Sequence, residues 1–323
     1  MNFNHVNKDY YIVTQDYSKT FDSGIDQFKI DIIKGKIPDL FISGGSLDTK
    51  LMENNNAFEN LSEYIKNSKI SFEDFYPKDI DNSEIFYISP VIGFGVIENN
   101  SILSEFEGGI STADFLEKSK KYNLKFSNCT ISQLFDYLVV DNLDDYVDYT
   151  SKKCYFKTDT FVDLMEYIKN AESSNGELKL AIYNNFYELM NFSSEKSYFD
   201  ISDKGLFTAH INENIKMSIY INSEYKDVIW GFIESVFDSG EQILNYGLPV
   251  SKDINGLNYY NSYAISNQKL FSLLSRGRLV NISDKNIHNI LYNELDSFIN
   301  GKITASEYAE NVQNQIMLYL SEL

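Results

Sequence analysis

At 323 residues, with 43% apolar and 15% aromatic residues, the chain has a globular rather than a disordered composition and is long enough for two domains. Against 47 Asp and Glu stand 28 Lys and Arg, and the resulting net charge of −19 repels phosphate backbones and anionic headgroups, so nucleic acid is not an expected partner. The sequence contains no run of about 18 apolar residues of the kind that crosses a bilayer as a helix.

The opening residues, MNFNHVNKDYYIV, carry neither a secretion signal nor a lipidation cysteine. DYYIVTQDYS (9–18) has strand character, and the next segment places Ile25, Phe28, Ile32 and Ile33 on one face of a helix over 22–34. Gly35 is positioned to stop that helix, Pro38 prevents its continuation, and DLFI (39–42) follows as a short buried strand. A strand, helix and strand in succession predict parallel pairing through a right-handed crossover. Residues 57–66 have a helical pattern. The long strand-like run 83–99 is interrupted by Pro90, Gly93 and Gly95, which suits a segment leaving one lobe for another; a bulged edge hairpin is the alternative.

Further along, Ser111 and Asp114 mark the start of a helix over 108–123, and 130–139 is a second. Phe161, Leu164, Met165 and Ile168 recur at the spacing of a third. A strand at 215–222 precedes a helix over 223–237 with Ile229, Phe232, Ile233 and Val236 on one face. The tail is helical, with Thr304 and Glu307 forming a capping box before the face Ala309, Val312, Ile316 and Leu320. The chain is thus expected to be a two-lobed α/β protein whose second lobe is richer in helix.

Enzymatic signatures are missing: the sequence contains no GxSxG, HExxH, GxxxxGK[ST] or GxGxxG. The glycine pair after Ser43 has no lysine behind it, which argues against a phosphate cradle. Neighbouring carboxylates such as Asp144, Asp145 and Asp148 are expected to form a solvated face, as charge runs usually do. His5, His210 and His288 lie too far apart for zinc spacing, so neither metal nor cofactor is expected. Cys129 and Cys154 either form one disulfide, if the protein is exported, or remain independent thiols. Aromatic and hydroxyl side chains do gather beside interrupted strands: Tyr17 and Ser18, Ser43, Phe94, Tyr198 and Phe199. Rings that pack on C–H faces, with hydroxyls and amides nearby, suit a sugar.

The order of segments resembles the extracellular solute-binding proteins of family 1, the sugar-binding receptors of ABC importers. Similar stretches are FNHVNKDYYIVTQDYS, IDIIKGKIPDLFI, NLSEYIKNSKISFEDFYP, YVDYTSKKCYFKTDTFVDLMEYIKN, SIYINSEYKDVIWGFIESVF, YGLPVSKD and ITASEYAENVQNQIMLYLSEL. The family's signal peptide, lipid-anchoring cysteine, first strand and most of its first helix have no counterpart after Met1. The chain is accordingly expected to be a truncated or trimmed member. Tyr198-Phe199-Asp200 stands where the family commonly has Gly-Phe-Pro, and 257–282 carries FSLLSRGRLVNIS in place of a Trp-rich loop.

The resemblance implies a two-lobed, type II periplasmic-binding-protein-like fold, with lobe one at 1–90 and 200–244 and lobe two at 91–199 and 245–323. Hinges are expected near Pro90, Tyr198–Ser202 and Gly247. It further implies a monomeric receptor, not an enzyme, on the extracellular face of the membrane. Such a receptor closes on a carbohydrate and presents it to ABC permease subunits. The residues expected at the ligand are Tyr17, Ser43, Gly44, Phe94, Tyr198, Phe199 and Arg276; Arg276 has the alternative of pairing with a carboxylate of its own lobe. A surface interaction protein without transport, or a carbohydrate-active hydrolase built on two carboxylates, is the competing expectation.

Overall fold

The computed structural model describes residues 3–17, 24–43, 56–68, 85–99, 109–127, 129–171, 176–183, 197–204, 209–213, 215–238, 248–249, 273–279 and 284–322. The strands, in chain order, are β1 Leu40–Ser43, β2 Val91–Asn99, β3 Phe126–Ser127, β4 Val147–Asp148, β5 Lys153–Cys154, β6 Leu178–Tyr183, β7 Ser197–Phe199, β8 His210–Glu213, β9 Lys216–Ile219, β10 Leu248–Pro249 and β11 Arg278–Leu279. The chain forms two compact units, one from Met1–Ile92 and Glu213–Tyr259, the other from Gly93–Asn212 and Tyr260–Leu323. Residues 200–212, expected in the first lobe, lie in the second unit, because β8 pairs there with β11 and β2, and 245–259, expected in the second lobe, fall in the first unit.

In the first unit the helix Gly24–Ile33 ends as its sequence dictates. Gly35 has φ +76°, its N–H reaches the Ile32 carbonyl at 2.9 Å, and the Lys36 N–H reaches that of Asp31 at 2.8 Å. These two bonds satisfy carbonyls that a helix end otherwise leaves bare. Phe28 packs with Phe41 of β1 and with Phe58, and Tyr17, Ile32, Ile37, Phe86 and Tyr220 surround this cluster. Ile33, expected on the buried face, points outward at 84% exposure; Ile32 and Phe28 carry the contact instead. β1 pairs antiparallel with β9, Phe41 opposite Ser218 and Ile42 opposite Met217, and the helix Lys226–Asp238 packs on β9.

Residues 9–17, expected to pair in parallel as a strand, form no strand. The side chain of Asn4 takes the place of a ladder neighbour, accepting from the Ile12 N–H at 2.8 Å and donating to the Ile12 carbonyl at 2.9 Å. Tyr11 and Val13 remain exposed, so no buried face holds the segment in a sheet.

The second unit is organised around β2, which is buried at every position. Its sheet runs β11-β8-β2-β6-β3, with β7 also paired to β2. β2 begins just after Pro90 and continues through Gly93 and Gly95; of the described residues before it, 85–89, Ile88 makes an isolated bridge to Met217 and the rest form no strand. A Cβ on Gly95 would sit 2.9 Å from the Tyr137 ring; the glycine admits that ring against the strand. Helices Thr112–Tyr122, Asp159–Lys169, Lys285–Ile299 and Ala305–Glu322 cover the core. The faces expected from spacing are buried: Phe161, Leu164, Met165 and Ile168, and Ala309, Val312, Ile316 and Leu320. The amide of Gln313 clasps the last helix to β5. It donates to the Cys154 carbonyl at 2.8 Å and accepts from the Phe156 and Lys157 N–H groups at 2.8 and 3.2 Å. Cys129 and Cys154 form no disulfide with each other.

Candidate functional site

The residues expected at a ligand fall in both units. In the first, the Tyr17 hydroxyl donates to Asp31 at 3.0 Å and its ring meets Phe28 edge-on. Burial, the hydrogen bond and the Asp31 charge together raise its phenol above the ordinary value. Ser43 is buried at the end of β1 opposite Lys216, and Gly44 lies outside the described residues. In the second unit Phe94, Tyr198 and Phe199 share one sheet, while Arg276 sits on an exposed turn before β11. The rings of Phe94 and Phe199 have no exposed surface in this conformation.

Around Phe94 the strands build a group of rings on a carboxylate. Phe94 and Glu98 share a face of β2 because strand side chains alternate. β6 brings Tyr183 opposite Phe94, and β7 brings Tyr198 opposite Glu98. Phe94 and Tyr183 stack at 4.8 Å, and the Tyr183 hydroxyl donates to Glu98 at 2.6 Å. Glu98 itself is buried. Burial, then Glu98, then Tyr198 push the Tyr183 phenol far up, so it stays a donor at every working pH.

A second polar group lies in the same unit, and sequence reasoning missed it. The π-helical turn Asp136–Val140, closed by the Asp141 N–H bonding to the Asp136 carbonyl, supplies Tyr137 and ends at Asp141. The Tyr137 hydroxyl lies 3.0 Å from Asp200 and 3.2 Å from the Gly95 carbonyl, and its ring lies flat on His210 at 4.1 Å. His210 Nε2 is 2.9 Å from Asp200 Oδ1, and its Nδ1 is 3.5 Å from Asp141 Oδ2. Arg278, in register with His210 on β11, reaches the Asp141 carbonyl at 3.3 Å, Asp145 at 3.6 Å and Asp200 at 3.8 Å. Asp145 was expected on a solvated face. Instead its side chain is 1% exposed and accepts from Ser202 and from the Asp203 N–H. Burial raises its carboxyl, and the Asp203 N–H, Arg278 and Ser202 partly offset that. Nearby, Tyr292 bonds to Asp136, whose carboxyl burial also raises.

The only hint in the sequence is the pair of arginines in SRGR. The expectation fell on Arg276, whereas Arg278, two residues on, is the one that meets the carboxyl groups of Asp145 and Asp200. His210 and Arg278 are 68 residues apart, so nothing local announces the pair. Among the described residues no three His, Cys, Asp or Glu are grouped to hold a metal ion. Among the same residues no helix is long and apolar enough to cross a membrane.

Neither a family model nor a curated protein matches the sequence. Solved structures do match the fold. The sugar-binding protein MalE from the phytopathogen Xanthomonas citri is similar with a TM-score of 0.65 and 13% identity, over 93% of this chain and 88% of that one. The ABC substrate-binding protein Lmo0181 from Listeria monocytogenes, in complex with cycloalternan, is similar with a TM-score of 0.58 and 14% identity, over 93% and 89%. Maltose-bound MalE3 of T. maritima has a TM-score of 0.57 and 12% identity, over 91% and 88%. The fold is that of the two-lobed periplasmic binding proteins.

Proposed function

We propose that the protein is an extracellular solute-binding receptor that captures a sugar or oligosaccharide and delivers it to the permease of an ABC importer, making and breaking no bond. The observation that supports this best is the extent of the likeness, about nine-tenths of both chains against receptors crystallised with cycloalternan and with maltose. Tyr17, Ser43, Gly44, Tyr198 and Arg276 are proposed as contact residues, with Phe94 and Phe199 backing them from the core.

Isothermal calorimetry and thermal shift against malto-oligosaccharides, cyclic glucans and xylo-oligosaccharides test the proposal. A true ligand at about 100 times its Kd adds about 2.7 kcal/mol to stability and raises Tm accordingly. A folded protein that gives neither heat nor a Tm shift with any sugar would overturn the reading.

A further inference from the structure

The group around His210 stands on the two strands that leave the second unit. Two of the chain's three passages between units fall at Ile92/Gly93, within β2, and at Asn212/Glu213, within β8, and these strands are neighbours in the sheet; the third, at Tyr259/Tyr260, lies outside the described residues. His210 lies on β8 just before the second passage. Tyr137 touches both strands: its hydroxyl reaches the Gly95 carbonyl of β2, and its ring covers the imidazole of β8.

The titratable and charged groups facing His210 come from three further elements. They are Asp141 and Tyr137 from the π-helical turn, Asp200 from the end of β7 and Arg278 from β11, with Asp145 behind Arg278. The guanidinium meets the carboxyl groups of Asp145 and Asp200 and the imidazole meets those of Asp200 and Asp141, so a proton on the imidazole adds a second positive charge among three acidic side chains. Each ring nitrogen points at a carboxylate, Nε2 at Asp200 and Nδ1 at Asp141. Losing the Nε2 proton gives up the bond to Asp200 and leaves that nitrogen to accept from Arg278 Nη2 at 3.2 Å, whereas losing the Nδ1 proton turns a lone pair toward Asp141; either way the attraction between imidazolium and carboxylates is lost.

We propose that His210, with Asp141, Asp200, Arg278 and Tyr137, is a proton-dependent clamp on the strands by which the chain passes between its units. It is closed while the imidazole is charged and loosened when the proton leaves. The clamp stands independently of the sugar reading, since it concerns the strands and not the ligand. Burial alone would lower the imidazole, but the Asp200 charge, the nearby Asp141 carboxyl and the hydrogen bond to Asp200 outweigh it, and Arg278 opposes them; the net displacement is upward from 6.5. With the folded value above the unfolded one, the clamp's stabilisation is complete below pH 6.5 and is lost as pH rises through the folded value.

The test follows the His210 ring by NMR in the full chain carrying H5Q and H288Q, which leave His210 as the single histidine. Amide hydrogen exchange of 94–97 and 210–212 is measured alongside, corrected for intrinsic rates. The expected result is a titration above 6.5 and a parallel fall in protection at both segments, about tenfold for each unit of displacement. D141N removes one carboxylate from the imidazolium; its His210 titrates lower and its protection depends less on pH. Y137F cuts the tie to β2, so 94–97 lose protection at all pH while the pH response at 210–212 persists. If a variant fails to fold, the His5/His288 double variant decides alone. A ring that never titrates between about pH 5 and about pH 9, that titrates at or below 6.5, or that titrates without any change in protection overturns the proposal.

Discussion

Gln313 tests whether the last helix is held by its apolar face alone or also by a specific amide clasp. Gln313→Leu keeps the approximate volume and removes three hydrogen bonds, leaving the Cys154 carbonyl and the Phe156 and Lys157 N–H groups without that partner. At a net ~0.5–1.5 kcal/mol for each bond, in a half-buried setting, the expected loss is about 2–3 kcal/mol. In a unit of this size each kcal/mol moves Tm by about 2–4 °C, so calorimetry should read a drop of about 5–10 °C. A Gln313→Leu variant whose Tm lies within about 1 °C of the parent's would refute the clasp.

The two glycines Gly35 and Gly231 should respond with opposite sign. At Gly35 a Cβ meets nothing within 4 Å but the backbone holds φ +76°, so Gly35→Ala should cost about 1–2 kcal/mol in urea unfolding. Gly231 has equal space inside the helix Lys226–Asp238, and Gly231→Ala should stabilise by about 0.5–1 kcal/mol. Thiol titration at pH 8 should modify half-buried Cys129 in the native protein and Cys154 only on unfolding, because Cys154 is buried and its thiol is pushed up to about 11. Gly95→Ala should cost about 1–3 kcal/mol, since Tyr137 is fixed by its own hydrogen bonds and has nowhere to retreat.

Much of the fold was legible where the determinants are local. Ser111 caps the helix Thr112–Tyr122 by accepting from Asp114, and Thr304 with Glu307 closes the capping box of the last one, as their spacing predicts. The buried faces of 159–169 and 305–322 follow from helical periodicity alone. The order of segments carried the two-lobed class, which the solved structures share despite identities of 12–14%. The site was less legible. A ring such as Phe94 has one appearance in a sequence whether it faces a ligand or a core, and burial at 0% is a property of the assembled sheet.

What the sequence determined by itself was helix caps and buried helix faces, the Gly35 stop, the charge excess and the absence of familiar catalytic motifs; each rests on interactions within a few residues or on composition. The helix expected over 57–66 forms only at Ser62–Asn67, because Phe58 bridges to Tyr220 and joins the core with Phe28 and Phe41. Only the tertiary structure decided that 9–17 stays out of the sheet, that β1 pairs antiparallel with β9, and that Asp145 leaves solvent for Arg278. It alone placed His210 against Arg278 from 68 residues away. The physical reason is common to all four: strand partners and buried charges are chosen by what else is packed nearby, and a linear pattern carries no record of that.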